Sequence, residues 1–265
     1  QSGDQVVLIV EPDEGDLACG WSGSGRLAAP EELFYHVRRA LSQGDYAGKR
    51  ILISTGPTRE ALDPVRFISN RSSGKMGVAL AREAFRRGAQ VTLVHGPVRA
   101  RVPREVRCLE VISAIEMRDA MMERAFAASQ GEKPDVVIMA AAVADYRPKQ
   151  SAPEKVKKGS ASISIDLAKN PDILNELGQK KGDGDRPVLV GFAVETGEIE
   201  NLLDEGRRKL HEKHADMIVG NFAEEAFDLD TNRVWLIDKH GRQEEIATQY
   251  KSRVANKILD VILKL

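Results

Sequence analysis

The stretch TGPTREALDPVRFISNRSSGKMG, residues 55–77, gathers residue types that handle anions. Gly56 lets a backbone come close to a ligand. Arg66 offers a guanidinium that grips a phosphate or carboxylate through two parallel hydrogen bonds. Asn70 adds a neutral amide donor suited to a developing oxyanion. The turn Ser72-Ser73-Gly74 leads into a helical run, where free backbone N–H groups and the positive helix end attract negative charge. The string fits neither G-x-x-x-x-G-K-[ST] nor G-x-G-x-x-G, which disfavours Walker-type ATPase chemistry and ordinary dinucleotide binding. Local composition alone reads equally well as a glycine-bounded loop capping a helix.

Further groups follow later strand-like runs. Behind PDVVIM, the small residues Ala140, Ala141, Ala142 and Ala144 leave room for a flat ring, and Asp145 can hold ribose hydroxyls or a metal ion, or cap a turn. The segment YRPKQSAPEKVKKGS has two prolines and four lysines and reads as a mobile, lid-like loop. Its Lys155, Lys157 and Lys158 are either solvated charge or groups that neutralise phosphate on closure. KNPDIL and GFAVET sit near strand ends, with Phe192 placed to pack on a base or in the core. Lys209 and Lys213 share one helix face, suited to a triphosphate or to solvent. His211 and His214 lack H-E-x-x-H spacing and a third ligand, so no metal site is indicated by direct motif. No G-x-S-x-G elbow occurs. Cys108 reads as a buried strand residue and Trp235 as packing for a hairpin.

Alternating strands and helices must position these groups. RILIST, AQVTLVHG, VRCLEVI, PDVVIMAAAVADY, PVLVGFAVE and DMIVGN read as strands, the last three as runs apolar enough for burial on both faces. Helices are predicted over Pro30–Ser42, with Pro30 at its first position, over MGVALAREAFRRG with Gly88 ending it, over Ala114–Ala128 and over Ile199–Lys213. In the second of these, Met76, Ala79, Leu80, Ala84 and Phe85 face inward. NRVWLIDKHGRQEEI reads as a β-hairpin turning near Gly241, followed by a helix with Val254, Ile258, Val261 and Ile262 on one face. Segments 55–73, 146–160 and 223–232 interrupt the pattern. The expected fold is α/β: a Rossmann-like, mostly parallel sheet with helices on both faces and a C-terminal β-hairpin plus helix. Ahead of it, VVLIVEP is strand-like and DEGDLACGWSGSGRLAAP reads as a loop.

The 265 residues are 42% hydrophobic and 30% charged, a globular profile. A net charge of -1 argues against broad binding to nucleic acid or anionic membrane and makes any anion site local. The two cysteines, Cys19 and Cys108, form no C-x-x-C pair, which suits a reducing cytoplasm. No apolar run reaches a membrane span and no export signal is visible, so a cytoplasmic protein is expected. A start at Gln1 rather than Met suggests a piece of a longer chain.

Taken together, GPTREALDPVRFISNRSSGKMG, AAAVADYRP, KVKK, KNPDIL, GFAVET, GRRKLHEKHADMIVGN and DTNRV resemble phosphopantothenoylcysteine synthetase, in order from about residue 49 to the C-terminus. Residues 8–34, with LACGWSGSGRLAAPEELF, resemble the end of the flavin-dependent decarboxylase fused ahead of the synthetase in many bacteria. The expected organisation is a remnant of the decarboxylase and a linker over 1–48, and a synthetase domain over 49–265. The resemblance implies a ligase of coenzyme A biosynthesis joining 4'-phosphopantothenate to L-cysteine. The substrate carboxylate attacks the α-phosphate of CTP, with Mg2+, to form an acyl-cytidylate and pyrophosphate, and the cysteine amine then displaces CMP. FMN belongs to the missing decarboxylase half. A reactive anhydride of this kind needs shelter from water.

Carried over by position, the resemblance makes Asn70 the binder of the acyl intermediate and Lys155 the loop lysine required for catalysis. It places Met139, Ala140 and Ala141 beside the cytosine, Asp145 on the ribose and Phe192 on the base. Pro171, Asp172, Ile173 and Leu174 form a nucleotide-binding turn, and Lys209 and Lys213 face the triphosphate. Arg66, which acts across a homodimer interface, and Ser72, Ser73 and Gly74 supply the remaining phosphate contacts, with Gly56 beside the nucleotide. Cys19 matches the decarboxylase proton donor, idle without the flavin body. Two positions depart from the family pattern: Gly206 replaces an alanine, and Phe222 replaces the aspartate after Asn221. The alternatives are a nicotinamide-dependent oxidoreductase, which would need an acid where the second strand ends in His95-Gly96-Pro97, and a non-catalytic nucleotide-binding module.

Overall fold

A computed structural model describes residues 9–127, 129, 131–157, 164–226 and 229–265. Lys158, the first part of the VVLIVEP run and the expected end of the third helix at Ala128 lie outside the described residues.

A small antiparallel hairpin, β1 (Asp13–Asp16) and β2 (Ser22–Arg26), comes first. This corrects the expected loop there: the glycine-rich segment has little apolar periodicity, yet it pairs with itself. Ile9–Pro12 form no strand. The first helix, α1 (Pro30–Ala40), begins at its proline as expected. Then come β3 (Arg50–Thr55), a two-stranded arm of β4 (Arg59–Ala61) and β5 (Phe67–Ser69), and α2 (Lys75–Arg86). β6 (Gln90–His95), β7 (Arg107–Glu110), α3 (Ala114–Met122, extended by a π-helical turn to Ala127) and β8 (Val136–Met139) follow. A ribbon of β9 (Tyr146–Pro148) and β10 (Leu167–Lys169) precedes α4 (Ile173–Lys181), β11 (Val188–Glu195), α5 (Ile199–Glu212) and β12 (Met217–Phe222). The chain closes with α6 (Ala223–Ala226), the hairpin β13 (Thr231–Asp238) and β14 (Gln243–Tyr250), and α7 (Lys251–Ile262).

One eight-stranded sheet organises these elements in the order β14-β13-β12-β11-β8-β3-β6-β7. From β12 to β7 every pairing is parallel, while β13 and β14 add antiparallel to that edge. In chain order the parallel part reads third, second, first, fourth, fifth, sixth, the doubly wound Rossmann arrangement. The expected fold is therefore the observed one, and its strand order reverses between β3 and β8.

Alternation along the strands builds both cores. Ile51, Ile53, Val91, Leu93, Val136 and Ile138 face α2 and α7 in one cluster. Leu52, Val94, Val137 and Leu189 face α3 and α4 in the other. On α2 the inward stripe is centred slightly differently from expectation: Gly77, Val78, Leu80, Ala81 and Ala84 are buried, and Met76, Ala79 and Phe85 are half-buried at its flank. Cys108 is exposed rather than buried, because β7 is the edge strand. Trp235 is 4% exposed and meets the Phe222 ring edge-on at 5.3 Å, so Phe222 serves packing. A Cβ on Gly206 would lie 2.2 Å from Ile237 Cδ1, which explains the glycine there: α5 rides close on β13.

Candidate active site

Ligands of doubly wound sheets bind beyond the carboxyl ends of the strands, near the reversal of strand order. A cleft of about 600 Å³ lies there, within the usual range for small-molecule sites. Asn70, Met139, Ala141, Asp145, Pro171, Asp172, Ile173, Leu174, Phe192, Lys209 and Lys213 all line it. Residues that are remote in sequence thus line one cleft.

The cleft wall is built where β8 stops. Strand pairing ends at Met139, shorter than the apolar run suggests, and the chain is then held by hydrogen bonds to the β3 side. Ala140 N–H donates to Ser54 O at 3.2 Å, Ala141 N–H to Ser54 Oγ at 3.3 Å and Ala142 N–H to Gly56 O at 2.9 Å. Two buried side chains continue the clamp: Thr58 Oγ1 accepts from Ala144 N–H at 3.0 Å, and Asn170 Nδ2 donates to Ala144 O at 2.7 Å. Small side chains along this segment keep the wall flat. Ala140 itself turns toward the core behind the cleft.

Asn70 reaches the same segment, donating from Nδ2 to Val143 O at 2.9 Å while its side chain stays exposed. Asp145 presents an exposed carboxylate. On the opposite side, Asp172 caps α4 by accepting from Asn175 N–H at 3.0 Å, which satisfies one of the free amides of the first turn. Both cleft lysines are paired with acids. Lys213 Nζ donates to Asp172 Oδ2 at 2.6 Å, and Lys209 Nζ bridges Glu195 at 3.0 Å and Glu205 at 3.3 Å. Glu205 is held down to about 2, by its bond to Arg208 and by Lys209.

Other expected site residues lie elsewhere. Gly56 adopts a φ of 80° at the end of β3, packed against Val98, and is not in the cleft lining. Gly74 opens α2 with a φ of 75° and donates from its N–H to Ser72 Oγ at 3.3 Å, while Ser73 is buried; the turn faces Val98 rather than the cleft. Lys155 is exposed on the segment after β9 and outside the lining. Arg66 lines a second, neighbouring cavity of about 390 Å³ together with Asp63, Lys149 and Val156. Cys19 is exposed in the turn of the N-terminal hairpin, and β6 is followed by Gly96, tightly packed on Pro57.

Sequence reasoning passed over Thr58, Asn170 and Asp63. Asn170 stands inside the KNPDIL block, and Asp63 precedes Arg66 by three residues, a spacing that could have suggested their pairing.

A family model described as the DNA/pantothenate metabolism flavoprotein C-terminal domain matches residues 46–265. The chain belongs to this family. Among curated relatives, it is 42% identical over 97% of its length to the coenzyme A biosynthesis bifunctional protein CoaBC of Haemophilus influenzae. It is 41% identical, also over 97%, to the protein of the same name from Bacillus subtilis. The chain spans 62% of the length of each of these two relatives. A crystal structure of the C-terminal domain of a coenzyme A biosynthesis bifunctional protein CoaBC superposes with a TM-score of 0.69 at 40% identity, covering 84% of this chain and 97% of that one. The resemblance read from the ordered motifs is thus borne out at the level of the family. No helix among the described residues is long and apolar enough to cross a membrane.

Proposed function

We propose that this chain is a phosphopantothenate–cysteine ligase of coenzyme A biosynthesis that uses CTP. The observation that carries the reading is the convergence of the nucleotide-type residues Met139, Ala141, Asp145, Phe192, Lys209 and Lys213 with Asn70 in one cleft at the strand ends. The flat wall of Met139 and Ala141 and the ring of Phe192 leave a slot for a pyrimidine. Asp145 accepts from ribose hydroxyls. The first turn of α4 and the two lysines face the phosphates, which requires Lys213 and Lys209 to exchange Asp172 and Glu195 for the incoming anion.

In the first step the carboxylate oxygen of 4'-phosphopantothenate attacks the α-phosphorus. The bond from that phosphorus to the bridging oxygen breaks, and pyrophosphate leaves. Asn70 holds the acyl oxygen through its amide. In the second step the cysteine amine attacks the acyl carbon, the bond to CMP breaks, and the amine loses a proton. Lys155 stabilises the phosphate charge once its exposed side chain swings toward the cleft. Magnesium usually binds through one or two carboxylates and the substrate phosphates. The exposed Asp145 carboxylate meets that need, and magnesium there would neutralise phosphate charge.

The homodimer belongs on the face formed by the β4–β5 arm and the β9–β10 ribbon, where Val65, Phe67, Tyr146 and Leu167 are exposed. A decarboxylase domain precedes this one in the full-length chain, and the setting is cytoplasmic.

The deciding experiment follows pyrophosphate release with magnesium and 4'-phosphopantothenate, comparing CTP with ATP and adding L-cysteine second. Release with CTP followed by cysteine-dependent CMP supports the ligase. Release with ATP alone overturns the nucleotide assignment. Silence with both from folded protein overturns the reading for this chain.

A further inference from the structure

Asp63 is the most heavily bonded side chain around the site, and nothing in the ligase reading uses it. It lies in the turn of the β4–β5 arm with its side chain fully shielded from solvent. Oδ1 accepts from the Val65 and Arg66 N–H groups, both at 2.8 Å, which folds the turn. Oδ2 accepts from Arg66 Nε at 2.9 Å, and this pairing with Arg66, together with the backbone amides, holds the Asp63 carboxyl far below the usual carboxylate range.

The pair then reaches across to the lysine-bearing segment. Val156 N–H donates to Asp63 Oδ2 at 3.2 Å, and Arg66 Nη2 donates to Val156 O at 2.9 Å. Both backbone groups of Val156 are therefore taken up by one ion pair. A third bond, from Ala152 N–H to Leu62 O at 2.9 Å, fixes the segment three residues before Lys155. Lys155 sits directly between these anchors while its own side chain stays exposed. The backbone is held and the amine is free to swing.

We propose that Asp63 is a positioning residue that, with Arg66, docks the 152–156 segment on the β4–β5 arm and so sets where Lys155 presents its ammonium group to the reacting phosphates. The inference rests on the ligase reading for its catalytic consequence and on geometry alone for the docking. It gives Arg66 a second task besides any contact with a phosphate: a substrate anion that draws Arg66 away from Val156 O would loosen the same segment. Holding a catalytic group within a fraction of an ångström is where such second contacts act on rate.

Asp63→Asn separates the two tasks of the carboxylate. The amide oxygen can keep the turn bonds from Val65 and Arg66, while the NH2 group meets the Arg66 guanidinium and the Val156 N–H with donors only. Hydrogen–deuterium exchange of the peptide covering 150–157 is measured first, because it needs no activity. Exchange there is expected to rise on the order of 10-fold in Asp63→Asn, and also in Val156→Pro, which removes the donor and leaves the arm intact. The kcat of pyrophosphate release is expected to fall on the order of 10-fold, with the nucleotide KM within about 3-fold of the parent. In a Lys155→Ala background, Asp63→Asn should have no further effect on kcat. Unchanged exchange in both variants overturns the docking. An equal kcat loss with and without Lys155 overturns the positioning role. A parent protein that releases no pyrophosphate with either nucleotide overturns the ligase reading, while exchange still decides the docking.

Discussion

Lys213 Nζ donates to Asp172 Oδ2 at 2.6 Å, joining the end of α5 to the N-cap of α4 across the mouth of the cleft. The same carboxylate that caps the helix thus holds a lysine suited to a triphosphate. Both side chains are partly open to solvent, 20% for Lys213 and 41% for Asp172, so the pair itself adds about 0–1 kcal/mol to stability. Lys213→Gln is expected to leave the melting temperature nearly unchanged and to raise the nucleotide KM about 10-fold, equivalent to about 1.4 kcal/mol of binding. Asp172→Asn keeps a good cap and releases the lysine, so its KM should not rise. Steady-state kinetics beside a thermal melt check both. A rise in KM for Asp172→Asn would mean the carboxylate itself touches the nucleotide.

Gly77 brings α2 against the end of β3. A Cβ there would lie 2.3 Å from Thr55 Oγ1 and 2.4 Å from Thr55 Cβ, inside a buried strand that has no slack. Helix propensity alone would favour alanine by about 1 kcal/mol. The clash is expected to outweigh that, giving a net loss of about 1–3 kcal/mol for Gly77→Ala. A urea melt of the variant measures it, and a stabilised variant would show that the helix can slide.

These two positions show which parts of the molecule the sequence carried and which it did not. Strands such as β3, β6 and β12 are legible because both faces are buried, so their apolar runs admit no other element. The Gly241 hairpin follows from its turn glycine, and α7 from one apolar face at helical spacing. The β4–β5 arm and the β9–β10 ribbon have three residues per strand, too few for a periodicity to show in the sequence. Cys108 was misread since a strand's position at the sheet edge is a property of topology, not of composition. In the site, Asn70, Asp145, Phe192 and the two lysines could be named from motifs. That Lys213 is held by Asp172 and Lys209 by Glu195 could not, because each partner comes from another element, whereas the Asp63–Arg66 pair shows in the sequence only as a three-residue spacing.

Asp216 anchors the opposite end of the sheet. It is 3% exposed, accepts from Leu189 N–H at 2.7 Å and from Lys239 Nζ at 2.8 Å, and pairs with the buried Lys181. Burial pushes its carboxyl up, but the two lysines and the amide outweigh burial and hold it below the ordinary carboxylate range. With the folded pKa depressed, this group's stabilisation is complete above the unfolded value of about 3.9 and is lost as pH falls through the lower folded value. Asp216→Asn leaves Lys181 without its charge partner and is expected to cost about 3–5 kcal/mol at neutral pH. Its denaturant stability should also fall less steeply than the parent's below about pH 4. An identical acid limb in both proteins would place the titration on other carboxylates.

Asn170 supplies the last test of how the cleft wall is made. Its side chain is buried, with Nδ2 donating to Ala144 O at 2.7 Å and Oδ1 accepting from Arg147 Nη1 at 3.0 Å, and its N–H donates to Asp145 O at 2.8 Å. The last bond survives any substitution that keeps the backbone in place; the first two do not. In Asn170→Ala the buried Ala144 carbonyl loses its donor, which costs about 1–3 kcal/mol. Because Ala144 and Asp145 line the cleft proposed to take the nucleotide, CTP affinity by calorimetry is expected to drop about 10-fold, with 4'-phosphopantothenate affinity changed less. Asn170→Asp separates the two bonds: it keeps the acceptor for Arg147 and loses the donor to Ala144. If the donor matters, Asn170→Asp binds CTP as weakly as Asn170→Ala. If the aspartate variant binds like the parent, Arg147 rather than the Ala144 carbonyl is what Asn170 holds in place.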